Sequence, residues 1–377
     1  MLRVLFVDHA EGLGGAEHSL LLLLAHLDRQ RLQPLLAANP GPLAQAARKL
    51  AVPVEEVAMP RLRGELAAPW RLARGVAQLA RLIRRAQVDL VVSNVMRSSF
   101  YAALAARLTR RPLVWYVRDI FTPGLYVRWM ARHAAQAIAV SRAAAAPLPR
   151  RLPVEVVPNG VDLGAFDPSA EGRGRLRAAW GVPPEAPLVG MVGRLARWKG
   201  QEDFLRAMGW VRTQHPQAHF ALIGGALLGE EPDYLQALQQ LARQLGLEDR
   251  IIWAGHRQDM PAVLAALDVL VHCSREPEPF GRVVIEGMAA RLPVVAYRQG
   301  GPAEIVLDGE TGLLVPPGDV AALARAVGSL LADLAWARQL GVAGRRRAER
   351  EYDIHILAAK VEAILERVAH SPRHGGG

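Results

Sequence analysis

Three carboxylates crowd the stretch SREPEPFGRVVIEGMAARLPVV (Ser274–Val295): Glu276, Glu278 and Glu286. Pro277 and Pro279 forbid a helix before about Phe280. The pattern predicts one from Phe280 to about Ala290, with Glu278 on the loop before it and Glu286 about two turns inside. Glu286 sits among Val283, Val284, Ile285 and Met288. A carboxylate in so apolar a setting needs hydroxyl groups or an arginine as partners, and a buried structural ion pair would fit the same pattern. The N-terminus of the helix adds partial positive charge, which suits an anion.

A second group of candidates lies upstream in LVGMVGRLARWKG, where Gly193, Arg194, Lys199 and Gly200 follow a strand. Arginine offers a planar fork and lysine a compact point charge, a pair suited to clamping a diphosphate. The chain holds only Lys49, Lys199 and Lys360 against 43 arginines, so an ammonium at 199 reads as required there rather than as one more solvated charge. After the first strand comes HAEGLGGAEHSL, with Gly12, Gly14 and Gly15 between strand and helix. Such glycines let backbone N–H groups approach an anion, or merely make a tight turn. The dinucleotide fingerprint is not met, because its third glycine is missing and Glu17 and His18 follow at once. Gly300 and Gly301, followed by Glu304, form a further loop that could face a phosphate or sugar. Gly255, His256 and Arg257 follow another strand, where a base could bind. Asp319 reads as a helix N-cap without chemistry.

The elements that must position these residues are legible as apolar runs. RVLFVD, QPLLAAN, VDLVVSN, PLVWYV, QAIAVS and VEVVPN alternate with amphipathic segments. After a polar break (Pro168–Trp180) the series restarts with PLVGMVG, AHFALIGG, RIIWAG, VLVHCS and LPVVAY. Runs without alternation predict strands buried on both faces, joined by βαβ crossovers. Two series imply two doubly wound α/β domains, which 377 residues can comfortably fill. Ligands in such sheets bind at the carboxyl ends of strands, where the candidates above fall. The apolar run in MLRVLFVDHAEGLGG is short and interrupted by Asp8, so it predicts a buried strand rather than a signal peptide. LLLLLAHL is too short to span a bilayer. The single cysteine, Cys273, sits in VLVHCS as a buried structural thiol, excludes an intramolecular disulfide and fits a reducing compartment.

The net charge of +10 is unevenly placed. Residues 1–167 carry 22 Lys+Arg against 12 Asp+Glu, whereas residues 168–377 carry 24 of each. The basic half predicts an anionic partner: an acidic acceptor, a membrane surface or nucleic acid. A general preference for arginine would have acted on both halves.

The motifs GGAE, VPNGVD, GRLARWKG, PEPFGRVVIEGMA and GGPAEIVLDGETGLLVPPGD resemble, in order and over nearly the whole chain, signatures of the retaining glycosyltransferases of family four. The family's Glu–seven residues–Glu pattern is met by Glu278 and Glu286, whereas Glu276 lies ten before Glu286 and does not fit. The resemblance implies a GT-B architecture, two doubly wound Rossmann-like domains facing across a deep cleft. Residues 1–167 would hold the acceptor and 168–350 the nucleotide-sugar. A helix within 351–370 would cross back to the first domain, and 371–377 would be a disordered tail. By similarity, Arg194 and Lys199 would hold the donor diphosphate, Glu286 the ribose hydroxyls and Glu278 the transferred sugar. Backbone amides of Gly15 and of Phe280, Gly281, Arg282 and Val283 would complete the phosphate cradle. Glu17, Asp119, Gly300 and Gly301 would be acceptor or sugar contacts.

The resemblance further implies a metal-independent hexosyltransferase without a cofactor, using a UDP- or GDP-sugar and retaining anomeric configuration by front-face attack. Glycan or polysaccharide biosynthesis follows, in the cytoplasm or peripherally on the inner face of the membrane. Two positions depart from the family. A His–Asp pair common at the end of the strand PLVWYV is Arg118–Asp119 here, and the arginine suits an anionic group on sugar or acceptor. EGMA replaces EAMA, and Gly287 inside a helix predicts close packing against a neighbour.

On the acceptor side, Arg61–Gln87 holds seven arginines and Trp70 in an amphipathic pattern. It fits docking on anionic lipid, and equally a solvated face. Nucleic acid is a poorer partner, since arginine without aromatic interleaving is only charge. Rival readings are a nucleotide-sugar epimerase or phosphorylase of the same architecture, and a noncatalytic two-lobed sugar-binding protein. The epimerase lacks the paired GRLARWKG and PEPFG motifs, the phosphorylase needs another lysine, and the binding protein would not explain a diphosphate clamp.

Overall fold

The computed structural model describes residues 1–60, 68–166, 170–225 and 233–371. Arg61 and Arg63 of the basic stretch, Pro168 at the polar break and the tail from residue 372 lie outside the described residues. The strands are β1 (Leu2–Asp8), β2 (Leu32–Ala38), β3 (Val54–Glu56), β4 (Leu90–Ser93), β5 (Leu113–Val117), β6 (Gln136–Ala139) and β7 (Val154–Val156). A second set comprises β8 (Leu188–Val192), β9 (His219–Ile223), β10 (Ile251–Gly255), β11 (Val269–His272), β12 (Val294–Tyr297) and β13 (Gly312–Val315). The helices of the first half are α1 (Gly15–His26), α2 (Pro42–Lys49), α3 (Ala68–Arg85), α4 (Met96–Thr109), α5 (Leu125–His133) and α6 (Arg142–Ala145). Those of the second are α7 (Ala170–Ala179), α8 (Gln201–Gln214), α9 (Tyr234–Gln244), α10 (Met260–Ala266), α11 (Arg282–Ala289), α12 (Pro302–Ile305), α13 (Val320–Ala332), α14 (Leu334–Glu351) and α15 (Ile354–His370).

The chain divides into two compact units. Unit 1 is Met1–Gly160 with Ile354–Gly377, and unit 2 is Val161–Asp353. The first unit thus ends seven residues before the expected position 167. Each unit is a parallel sheet, ordered β3-β2-β1-β4-β5-β6-β7 in unit 1 and β10-β9-β8-β11-β12-β13 in unit 2. Most of the apolar runs form the buried strands they predict: β5, LVWYV, and β11, VLVH, are buried throughout, whereas β7 and β10 are half-buried to exposed. β3 has no counterpart among the predicted runs, because its three residues, VEE, are half-exposed and carry two carboxylates.

The helix α15 packs on α1 within unit 1. Its Glu362, 3% exposed, accepts the Asp28 backbone N–H at 2.6 Å and pairs with Arg31 at 3.1 Å. His26 and His355 meet edge to face at 4.8 Å. Gly160 lies so close to Ile354 that a Cβ there would come within 2.7 Å of its Cα. In unit 2, α11 lies on β11 where Gly287 leaves no side chain between the helix and Leu270, the close approach that residue predicts. Asp319 caps α13, its Oδ1 accepting the Ala322 N–H at 2.8 Å. Among the described residues no single helix is long and apolar enough to cross a membrane.

Candidate active site

In unit 2 the strand order reverses between β8 and β11, the position where parallel sheets leave a crevice at their carboxyl ends. The loops after these two strands carry Arg194, Lys199 and Glu278. They can lie together because Gly200, with φ +83°, leaves the Cys273 carbonyl room that a Cβ would fill. The Arg275 N–H then bonds the Trp198 carbonyl at 2.7 Å. Arg275 also forks onto Asp203 of α8 at 2.5 and 3.1 Å, and the Tyr297 hydroxyl donates to the same carboxylate at 2.9 Å. Cys273 is buried as expected, and burial pushes its thiol far up.

This scaffold brings three donors onto Glu278. Lys199 Nζ lies 2.5 Å from Oε1, His272 Nε2 lies 2.6 Å from Oε2, and Ser274 Oγ donates to Oε2 at 3.0 Å. Burial works against the carboxylate, yet the nearby positive charge of His272 and Lys199 and their hydrogen bonds outweigh it. Glu278 is held ionised, well below the usual carboxylate range. An ionised carboxylate only accepts, so His272 donates from Nε2. Lys199 Nζ stands 4.3 Å over the Trp198 ring, and the Arg194 guanidinium lies 5.8 Å from the same ring. Two cations therefore flank one indole beside a fixed carboxylate, an arrangement able to receive a diphosphate next to a hydroxyl-rich group.

The helix after this loop starts later than predicted. Gly281 adopts φ +89°, so α11 begins at Arg282 rather than Phe280. The first-turn amides of Arg282 and Val283 sit at its N-terminus, while Phe280 is buried with its ring 6.2 Å from Tyr352. Glu286 pairs with Arg282 at 2.8 Å through Oε1. Of the predicted partners, the arginine is the one present, one turn away. Glu276 is exposed.

Gly300 and Gly301 have a packing reason of their own. A Cβ at either would overlap the backbone of Glu278 or Phe280, and Gly301 N–H bonds the Glu278 carbonyl at 2.8 Å. Their bareness lets the β12–α12 loop press the Glu278 segment into place. Arg257, expected near a base, forks onto Asp259 at 2.5 and 2.8 Å. Among the described residues no three His, Cys, Asp or Glu side chains gather as a metal site.

Unit 1 places its candidates differently from expectation. Gly15 opens α1, and Glu17, 8% exposed, turns back to accept the Gly14 N–H at 2.8 Å, so it caps the helix. Arg118, expected to face an anionic group, is 7% exposed and turned into the protein. Its Nε donates to Asn94 Oδ1 and its Nη1 to Asn159 Oδ1, both at 2.6 Å, and it lies 4.0 Å over Tyr116. Two asparagines at the ends of VVSN and VVPN thus claim the guanidinium. Asn94 also donates to Asp8 at 2.6 Å, and burial followed by the charge of Glu17 pushes that carboxyl up to about 6. Asp119 is exposed beside this network. Sequence reasoning missed His272 and Ser274, both at the end of an apolar run, and the two asparagines. The signal was a polar residue closing each buried strand.

Residues 13–165 match the family described as Glycosyltransferase Family 4, and residues 172–347 that described as Glycosyl transferases group 1. The lipopolysaccharide core biosynthesis mannosyltransferase LpcC of Rhizobium leguminosarum bv. viciae is 32% identical over 267 residues, 69% of this chain and 73% of that protein. The chain belongs to the family 4 glycosyltransferases. A GDP-mannose-dependent phosphatidylinositol monomannoside mannosyltransferase of Mycolicibacterium smegmatis is 35% identical over 220 residues. That match spans 56% of each protein, so this family member covers about half of that relative. The crystal structure of Anabaena Alr3699/HepE in complex with UDP and glucose superposes with a TM-score of 0.86 at 30% identity, covering 97% of this chain and 100% of that one. This glycosyltransferase has the GT-B architecture of two Rossmann-like domains.

Proposed function

We propose that the protein transfers a sugar, with retention and without a metal, from a nucleoside-diphosphate-sugar to a hydroxyl of a glycan or lipid-linked glycan. Unit 2 would hold the donor and unit 1 most of the acceptor. The observation that carries this reading is the cluster on Glu278: a carboxylate fixed by His272 and Ser274 and paired with Lys199 beside Arg194. Lys199 moves from Glu278 to the donor diphosphate as it enters, and Arg194 and the N-terminus of α11 share its charge. Glu278, still held by His272 and Ser274, accepts hydrogen bonds from the sugar. The acceptor oxygen bonds to the anomeric carbon as the bond to the leaving phosphate breaks, and a phosphate oxygen takes the acceptor's proton. Glu286 would accept from the ribose through Oε2 while Arg282 keeps Oε1.

UDP and GDP are both supported as donor bases, since the relatives named above use or bind one or the other. Work at the cytoplasmic face of a membrane accords with the basic first half. The test is donor hydrolysis and transfer with a panel of UDP-, GDP- and ADP-sugars. Glu278→Ala and Lys199→Ala each lower kcat/KM by roughly a hundredfold or more, as expected for loss of a charged contact in the transition state. Full activity in both variants would overturn the assignment.

A further inference from the structure

In unit 1, α3, α4 and α5 lie side by side, with Gly75 of α3 against the Tyr101 ring of α4. All three connect parallel strands, so their first turns share the carboxyl end of the sheet. Each of those turns exposes a large apolar side chain: Trp70 at 81%, Met96 at 48% and Leu125 at 83%. Between α4 and α5 runs a groove of about 420 Å³, within the roughly 300–1,000 Å³ of small-molecule sites. Phe100, Leu125, Tyr126 and Trp129 line it, together with Arg128 and Arg132. The walls are set in advance: Phe100 stacks on Trp129 at 5.1 Å and tilts against Tyr126 at 5.0 Å, while His133 backs Trp129 at 4.2 Å.

The lining selects among occupants. Among the described residues it offers no carboxylate or amide side chain, the groups that hydrogen-bond sugar hydroxyls, so a bare glycan fits it poorly. Arg128 and Arg132 stand one turn apart and exposed, and among the described residues neither makes an ion pair. An apolar groove that also carries two exposed guanidinium groups matches a hydrocarbon chain joined to phosphate.

We infer that this groove is a subsite for the lipid of a lipid-linked acceptor, taking its hydrocarbon chain between α4 and α5 and its phosphate at Arg128 and Arg132. This rests on the transferase reading above and names the acceptor class within it. The test uses the full chain without donor and farnesyl diphosphate as probe, with binding followed by calorimetry. Saturable binding is expected, weakened about tenfold or more in Leu125→Ser and in the double variant Arg128→Gln, Arg132→Gln. Leu125 is too exposed for its loss to unfold the domain, and unchanged affinity for UDP or GDP in each variant checks that unit 2 is intact. Binding no tighter than that of inorganic diphosphate, affinity unchanged by Leu125→Ser, or preference for a neutral oligosaccharide would each overturn the subsite. Probe binding without nucleotide binding would uphold the groove and sink the donor reading, whereas the reverse would sink the groove alone.

Discussion

His272 shows how a single residue changes the chemistry of its neighbour. It closes β11, where its ring is buried against Glu278 and the carboxylate is held ionised. In the proposed reaction Lys199 turns to the diphosphate, and His272 and Ser274 remain to orient Glu278. His272→Gln keeps a donor but shortens the reach, so kcat should fall roughly ten- to a hundredfold with donor KM changed far less. Equal losses in both, or none, would show that the histidine only packs. At Asp8 the pH dependence has a definite sign. Its folded value of about 6 lies above the ordinary 3.8, so the contribution of Asp8 to stability is fullest below pH 4 and is lost as pH rises through 6. The full effect is roughly 3 kcal/mol. Asp8→Asn should flatten that part of a denaturation-against-pH curve, and an unchanged slope would remove Asp8 as its source. Neither residue's partners were legible in the sequence, because each sits at or near the end of an apolar run, and only the fold shows what it meets.

Elements were legible where burial alone decides them and less so where backbone detail does. The runs that became β5 and β11 are apolar throughout, so no other assignment competes. β3 was invisible because three half-exposed residues with two glutamates carry no strand signal. The start of α11 shifted by two residues because Gly281 adopts a left-handed conformation that a glycine permits but does not announce. The Gly300–Gly301 pair was read as able to face a phosphate or sugar, and its bareness is also what admits the backbone of Glu278 and Phe280. Gly301→Ala should therefore push the Glu278 loop away, cost about 1–3 kcal/mol as other overpacked sites do and raise donor KM. Melting and donor titration read both effects. A variant indistinguishable from wild type in each would contradict the close approach.

At the scale of the whole molecule, two parallel sheets put their candidate residues at carboxyl ends next to the reversal of strand order. That much followed from the two series of apolar runs. The charge division fits the same plan: the near-neutral half contains Arg194 and Lys199, proposed above as a local diphosphate clamp, and the basic half exposes Arg128 and Arg132 around an apolar groove. The last helix joins unit 1 through the buried Glu362, so the chain's end completes the domain with which it began. The role of Arg118 was not legible, since its partners Asn94 and Asn159 are distant in sequence and their meeting is a product of topology. The central claim is that Lys199 and Arg194 hold a nucleoside diphosphate in unit 2. Calorimetric titration of UDP and GDP into the wild type and Lys199→Ala tests it most directly. One of the two nucleotides should bind the wild type saturably, and Lys199→Ala should bind it at least about tenfold more weakly. Equal affinity in the two proteins would contradict the account.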